Sequence, residues 1–272
     1  MTPMFTFDPN ASYTMPAHFG ARKLEPKASG WYRDVTMMVV SYITDREKLA
    51  QYLPDPFEVG ELPIVTVTFA CNKKVDWLAG HGYNLLSVNA SAIYNGKTEK
   101  MVGNYNLVMW ENLTDPILTG RELQGIPKIF ADIPEHTKVD NKWQTSASHF
   151  GNKFFDMNLS DLREPTAEEV AMGKQMREGK DNPMAWRYMP GVSGFGQAIS
   201  EPTTFPSQTD ITEAHVGSGE INWHPQTWQQ NPTQYHIINA IAELPIISYL
   251  PAVMAKGAAN LILPDNMPRV LK

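Results

Sequence analysis

The chain has 272 residues, 42% of them hydrophobic and 19% charged, a globular composition long enough to bury a substantial core in one domain. Its net charge of −6, with Lys and Arg scattered, excludes the basic stripe that would neutralise a phosphate backbone, so nucleic acid is set aside and a small molecule is the expected partner. The single cysteine, Cys71, excludes an internal disulfide framework.

The opening MTPMFTFDPN has neither the basic region nor the apolar run of a signal peptide, which makes a reducing cytoplasm the expected location. Residues 1–30 are rich in Pro, Ser and Ala and lack periodicity, so an extended arm on the surface or on a neighbouring subunit is expected, followed by one domain over 31–272. DVTMMVVSYI reads as a strand, and TDRE at 44–47 as a capping box opening a short helix that stops at Pro54. PIVTVTFAC and LLSVNASAIY alternate at period two, with Leu86, Val88, Ala90, Ala92 and Tyr94 on one face. The Asn-Gly turn at 95–96 then leads into NYNLVMW at 104–110 as the returning strand of an antiparallel pair.

Beyond this hairpin, NKWQTSASHF and KFFDMNL read as strands, and a second capping box, Thr166 to Glu169, opens a helix through about Arg177. GFGQAI, ITEAHVGSGEINW and QYHIINAI read as further strands, and 246–262 as a final helix with a strand-like end. Many strands and few helices imply a mainly β, α+β fold, an antiparallel sheet folded on itself with helices at its flank. The stretch 237–264 is broken by Asn239, Glu243, Pro245, Pro251 and Lys256 and reads as core, since a membrane span needs ~20 apolar residues.

The glycines of GVSGFG at 191–196 lack the strand–turn–helix context of a phosphate cradle, and His215, His224 and His236 lack metal-ligand spacing, so neither metal nor cofactor is expected. Cys71 ends an alternating run and reads as a buried small hydrophobe. In GRELQGIPKIFADI, residues 120–133, Lys128 stands behind Pro127 between Ile126 and Ile129. A free lysine has a pKa near ~10.4, and desolvation among apolar neighbours lowers it toward a neutral, nucleophilic amine. The pattern alone leaves two readings open, a turn lysine reaching for water or a nucleophile.

GREL followed by three residues and PK resembles the signature of the acetoacetate decarboxylase-like superfamily. TDREKLAQYLPDPFEV resembles the family's early helix and its exit, GNY at 103–105 its Gly-x-Tyr strand, and ELPIISYLPAVMAKGAANLILP its closing segment. The likeness spans most of residues 31–264. It implies a cone-shaped antiparallel β barrel or sandwich with flanking helices, assembled as a homo-oligomer, in which Lys128 forms a Schiff base with a ketone; an activated lysine of this kind is a known device of acetoacetate decarboxylase.

Two positions depart from the decarboxylase pattern: Ile129 stands where a second lysine follows the nucleophile, and Leu85, or Leu86, where a glutamate follows a tyrosine. Arg33 is the nearest counterpart of the arginine that meets the substrate carboxylate, about two residues out of register. Some superfamily members condense pyruvate with aldehydes and dehydrate the product. By that resemblance Gln124 hydrogen-bonds the substrate, Glu122 or Tyr83 moves protons, and Arg121 contacts substrate or braces the loop as an ion pair with Glu122. Leu85 and Ile129 line the pocket. The expected function is therefore a metal-free, cofactor-free lyase acting on a small 2-oxo or 3-oxo acid, of aldolase or dehydratase type, with acetoacetate decarboxylation and a catalytically silent ligand-binding barrel as the alternatives.

Overall fold

A computed structural model describes residues 5–23, 28–177, 179–262 and 265–272. The long β-branched runs form the centre of the fold: β1 (Trp31–Ile43), then α1 (Arg46–Ala50), β2 (Phe57–Val59), β3 (Ile64–Val75), β4 (Tyr83–Asn95) and β5 (Lys100–Glu111). The helix α2 (Thr114–Thr119) runs directly into a π-helical turn, Gly120–Gln124, and the short β6 (Lys128–Phe130). β7 (Thr137–Val139), β8 (Lys142–His149) and β9 (Asn152–Arg163) lead to α3 (Ala167–Arg177). The remainder comprises β10 (Pro183–Pro190), β11 (Gln197–Thr204), β12 (Gln208–Trp223), α4 (Tyr235–Ala242), β13 (Ser248–Tyr249), β14 (Ala252–Asn260) and β15 (Arg269–Val270).

All the strands belong to one sheet, in the order β15-β11-β10-β5-β4-β3-β1-β14-β12-β9-β8-β7, with β13 on β1, β2 on β4 and β6 on β5. The sheet is mixed rather than wholly antiparallel, because β10 and β6 both run parallel to β5 and share its outer edge. It is not closed by a continuous ladder. An isolated bridge between Asp132 and Ser148 links the segment after β6 to β8 and completes the curl.

Strand alternation gives the curled sheet an inner and an outer face. Met38, Phe69, Leu86, Val88 and Trp110 meet inside with Phe154, Met157 and Leu159, and Cys71 is buried there as a small hydrophobe. A separate outer cluster joins Tyr32, Val35, Ala70, Val75 and Tyr83. Among the described residues, no helix is long and apolar enough to cross a membrane.

Several local expectations hold in detail. Thr166 and Glu169 cap reciprocally: the Thr166 backbone N–H donates to Oε2 at 2.8 Å and the Glu169 N–H to the threonine hydroxyl at 3.2 Å. In the first box the cap is Asp45, not Thr44, since its carboxylate accepts from the Lys48 N–H at 2.8 Å.

Two elements reverse their expected type. QYHIINAI forms the helix α4 because Ile238 and Ile241, three residues apart, share the stripe that enters the inner core, a spacing that its β-branched composition hides. Conversely, AVMAKGAAN is strand β14, held between β1 and β12 along nearly its whole length; two ladders override the helical preference of its alanines. The strand PMAWRYMP, β10, was not anticipated.

At the start of α4, the Gln234 side chain accepts from Trp110 Nε1 at 2.8 Å and donates to the Phe130 carbonyl at 2.8 Å, tying the helix to β5 and β6. Gln234→Ala leaves the buried Trp110 N–H unpaired and removes the partner of the part-buried Phe130 carbonyl, and is expected to destabilise the fold by about 1–3 kcal/mol, read as a lower midpoint in urea unfolding.

Candidate active site

The GREL segment folds to bring a backbone close to one side chain. A Cβ on Gly120 would lie 2.5 Å from Lys128 Cε and 2.8 Å from Nζ, so only glycine leaves that space to the lysine. Gly125, at φ +77°, ends the π turn in the left-handed region, and the Ile126 N–H returns to the Gly120 carbonyl at 3.1 Å. Pro127 then offers its carbonyl to the Met109 N–H at 3.1 Å, which starts the parallel β5–β6 ladder with Met109 opposite Lys128.

That register decides which side chains meet. Trp110 and Ile129 face the inner core, whereas Lys128 and Glu111 face outward beneath α2. Lys128 Nζ lies 2.9 Å from Glu111 Oε1, the two side chains being 7% and 0% exposed, and it donates to the Pro116 carbonyl of α2 at 3.2 Å. The carboxylate contact lacks the angle of a good hydrogen bond, and neither Glu111 oxygen has another partner among the described residues. Burial pushes the Glu111 carboxyl above its ordinary value, and pairing with the lysine offsets only part of that rise.

Beside it on the outer face stand two phenols. The Tyr32 and Tyr83 hydroxyls are 3.1 Å apart, and Trp77 Nε1 donates to the Tyr32 oxygen at 3.1 Å. Burial raises both, Tyr32 to about 12 and Tyr83 well above its ordinary value, with the Glu111 charge adding to each, so both are protonated donors at neutral pH. Leu85, directly opposite Glu111 in the β4–β5 ladder, packs against the same outer cluster as Tyr83.

The other anticipated residues take different places. Arg121 donates to the Lys128 carbonyl at 2.8 Å and so braces the lysine's backbone, rather than pairing with Glu122. Glu122 and Gln124 are held by their own carbonyls, which accept from Arg187 at 2.7 Å and from the Thr203 hydroxyl at 2.8 Å. Arg33 points away from Tyr32 and pairs with Asp76 at 2.7 Å, fixing the turn that carries Trp77. Ile129 lies on the opposite face of β6 from the amine and packs with the inner core.

Glu111 is the residue that sequence reading missed. It closes an apolar strand, NLVMWE, where a carboxylate reads as a solvated strand end. The available signal was its alternation with Trp110, which puts it on Lys128's face once the parallel β6 is placed.

Lys128→Met is expected to strand the carboxylate. Glu111 then keeps a proton in the folded state that it loses on unfolding, so stability falls as pH rises from the unfolded carboxyl value of ~4.3, by up to about 1.4 kcal/mol per pH unit. Urea unfolding between pH 5 and 8 measures this slope, and adding Glu111→Gln removes it.

A family model described as acetoacetate decarboxylase (ADC) matches residues 14–259. The acetoacetate decarboxylase of Burkholderia mallei is 33% identical over 231 residues, covering 82% of each chain. Among solved structures, acetoacetate decarboxylase from Legionella pneumophila superposes with a TM-score of 0.71 at 16% identity, covering 93% of this chain and 91% of its own. The enduracididine biosynthesis enzyme MppR complexed with pyruvate gives 0.68 at 13% identity, covering 98% of this chain and 99% of its own. These two likenesses concern the fold, which is the ADC-like one. With most of its length matched by the family model and a relative a third identical, the chain belongs to the acetoacetate decarboxylase family.

Proposed function

We propose that the protein is a lyase in which Lys128 forms a Schiff base with a small 2-oxo acid and Glu111 moves the protons, giving aldol-type condensation and dehydration. The observation that carries this reading is the buried 2.9 Å contact between the lysine amine and a carboxylate that has no other partner among the described residues. Transfer of the amine's proton to Glu111 leaves a neutral nucleophile. Its nitrogen adds to the ketone carbon, the carbonyl oxygen takes up protons and leaves as water, and a C=N bond forms.

The iminium then acidifies the neighbouring C–H, and ionised Glu111 is placed to remove that proton and yield an enamine. The enamine carbon adds to an aldehyde, and elimination of the new hydroxyl gives the unsaturated product. A base beside the amine is what enamine formation requires. Decarboxylation produces its carbon nucleophile by losing CO₂ and requires none. The fold likeness to MppR, whose structure holds pyruvate, supports the choice of 2-oxo acid.

A second reading, decarboxylation of a 3-oxo acid through the same iminium, is favoured by the name of the Burkholderia mallei relative. The two are separated by CO₂ release from acetoacetate against hydrogen exchange at C3 of pyruvate in D₂O.

Cyanoborohydride reduction with pyruvate is expected to add the substrate's mass at Lys128, and Lys128→Ala to abolish labelling; an unmodified lysine across a panel of oxo acids would sink the reading. Glu111→Gln is expected to retain the adduct but to slow C3 exchange by ~100-fold or more, the usual worth of a general base. Gly120→Ala is a separate test. The three atoms nearest its Cβ all belong to the lysine side chain, so the substitution acts first on the amine's position, and adduct formation should drop sharply while the chain still folds, as mass spectrometry and thermal melting together report.

A further inference from the structure

The two phenols suggest how the oxygen leaves, an inference that rests on the Schiff-base reading above. Trp77 Nε1–H can only donate, so the Tyr32 oxygen is the acceptor of that 3.1 Å bond. Either phenol can donate in the 3.1 Å bond between them, and accepting a bond polarises the Tyr32 O–H, which favours Tyr32 donating to the Tyr83 oxygen. In that arrangement the chain of bonds runs Trp77 to Tyr32 to Tyr83 and leaves the Tyr83 proton without an acceptor among the described residues.

On the same outer face, Glu111 has the complementary defect, oxygens with no donor of good geometry. Leu85 is directly opposite Glu111, so Tyr83, two residues earlier on that face, is a diagonal neighbour at roughly 7–8 Å, within reach of an aromatic side chain. A donor and an acceptor thus share the outer face, the acceptor being the carboxylate that contacts the lysine amine. The charged and titratable groups around Tyr83 are Tyr32 from β1, Glu111 from β5, and Cys71, Lys73 and Glu135, which line a cleft with it, while Lys128 from β6 is paired to Glu111 and the Asp76–Arg33 pair stands behind Trp77.

We propose that Tyr83 is the proton donor to the oxygen that leaves the carbinolamine, and that Tyr32, fixed by Trp77, is the positioning residue that aims it. In this step the Tyr83 proton moves to the carbinolamine hydroxyl, the C–O bond breaks, the lysine nitrogen's lone pair closes the C=N bond, and water departs. The Tyr83 oxyanion is held by the Tyr32 hydrogen bond. It recovers a proton from Glu111, which had accepted one from the amine, and Glu111 is left ionised for the C–H step.

The test follows the rate of cyanoborohydride-trapped adduct at Lys128 with pyruvate from pH 5 to 8, by quenched mass spectrometry. Tyr83→Phe is expected to slow labelling by ~100-fold at pH 8, within the usual range for loss of a general acid, and Tyr32→Phe by ~10-fold. Both deficits should shrink as pH falls, because hydronium then supplies the proton, a signature that misfolding does not produce. Where Tyr83→Phe does not fold, Tyr32→Phe leaves the Tyr83 side chain in place and carries the same signature. Labelling at the wild-type rate in both variants, or a deficit equal at every pH, overturns the proposal while the Schiff-base reading stands. A wild-type protein that never labels overturns both.

Discussion

The buried contact between Lys128 and Glu111 is the constraint around which this part of the structure is arranged. Two charges withdrawn from water cost several kcal/mol each, and their attraction offsets that cost only when the geometry is held closely. Every nearby element holds it: the glycine that lets the π turn approach the lysine stem, the Pro116 carbonyl over the amine, Arg121 on the lysine's own carbonyl, and the parallel register that sets β6 beside β5. An apolar pair of similar volume would satisfy the fold at lower cost. A lysine and a carboxylate with so few other partners are better explained by proton transfer than by stability.

Most of the sheet was legible because its strands carry their own period. β1, β3, β4 and β5 are long, β-branched and alternating, and the Asn-Gly turn fixes one hairpin. α4 and β14 were misread for the same reason in opposite directions: in short apolar segments, tertiary partners rather than propensity set the type. Ile238 and Ile241 are strand-forming residues placed at helical spacing, and the alanines of β14 are helix-forming residues captured between two long strands. Nothing local to 234–260 contains that information.

The candidate site shows the same limit more sharply. In the chain, Leu85 and Ile129 looked like the loss of two charges next to the nucleophile. In the sheet, Ile129 faces the inner core, where alternation sends any residue that follows an outward lysine on β6, and Leu85 stands directly opposite Glu111. A carboxylate absent from one strand is supplied by the partner strand at the cross-strand position, about 5 Å away between Cβ atoms. The local environment therefore keeps its charge balance through a different residue, and only the register reveals it.

That relocation bears on the chemistry. In the proposed chemistry the carboxylate, 2.9 Å from the amine, handles the proton on nitrogen and on the carbon next to the iminium, and the phenols handle the proton on oxygen. Burial raises the Glu111 carboxyl and both phenols above ordinary values that already lie several units apart. Groups with separated affinities divide the work of acid and base without competing for it. The outer face of the sheet, with Trp77 at one end of the row and Lys128 at the other, thus orders its proton donors and acceptors by strand, and strand order in turn follows from the runs of β-branched residues that build the fold.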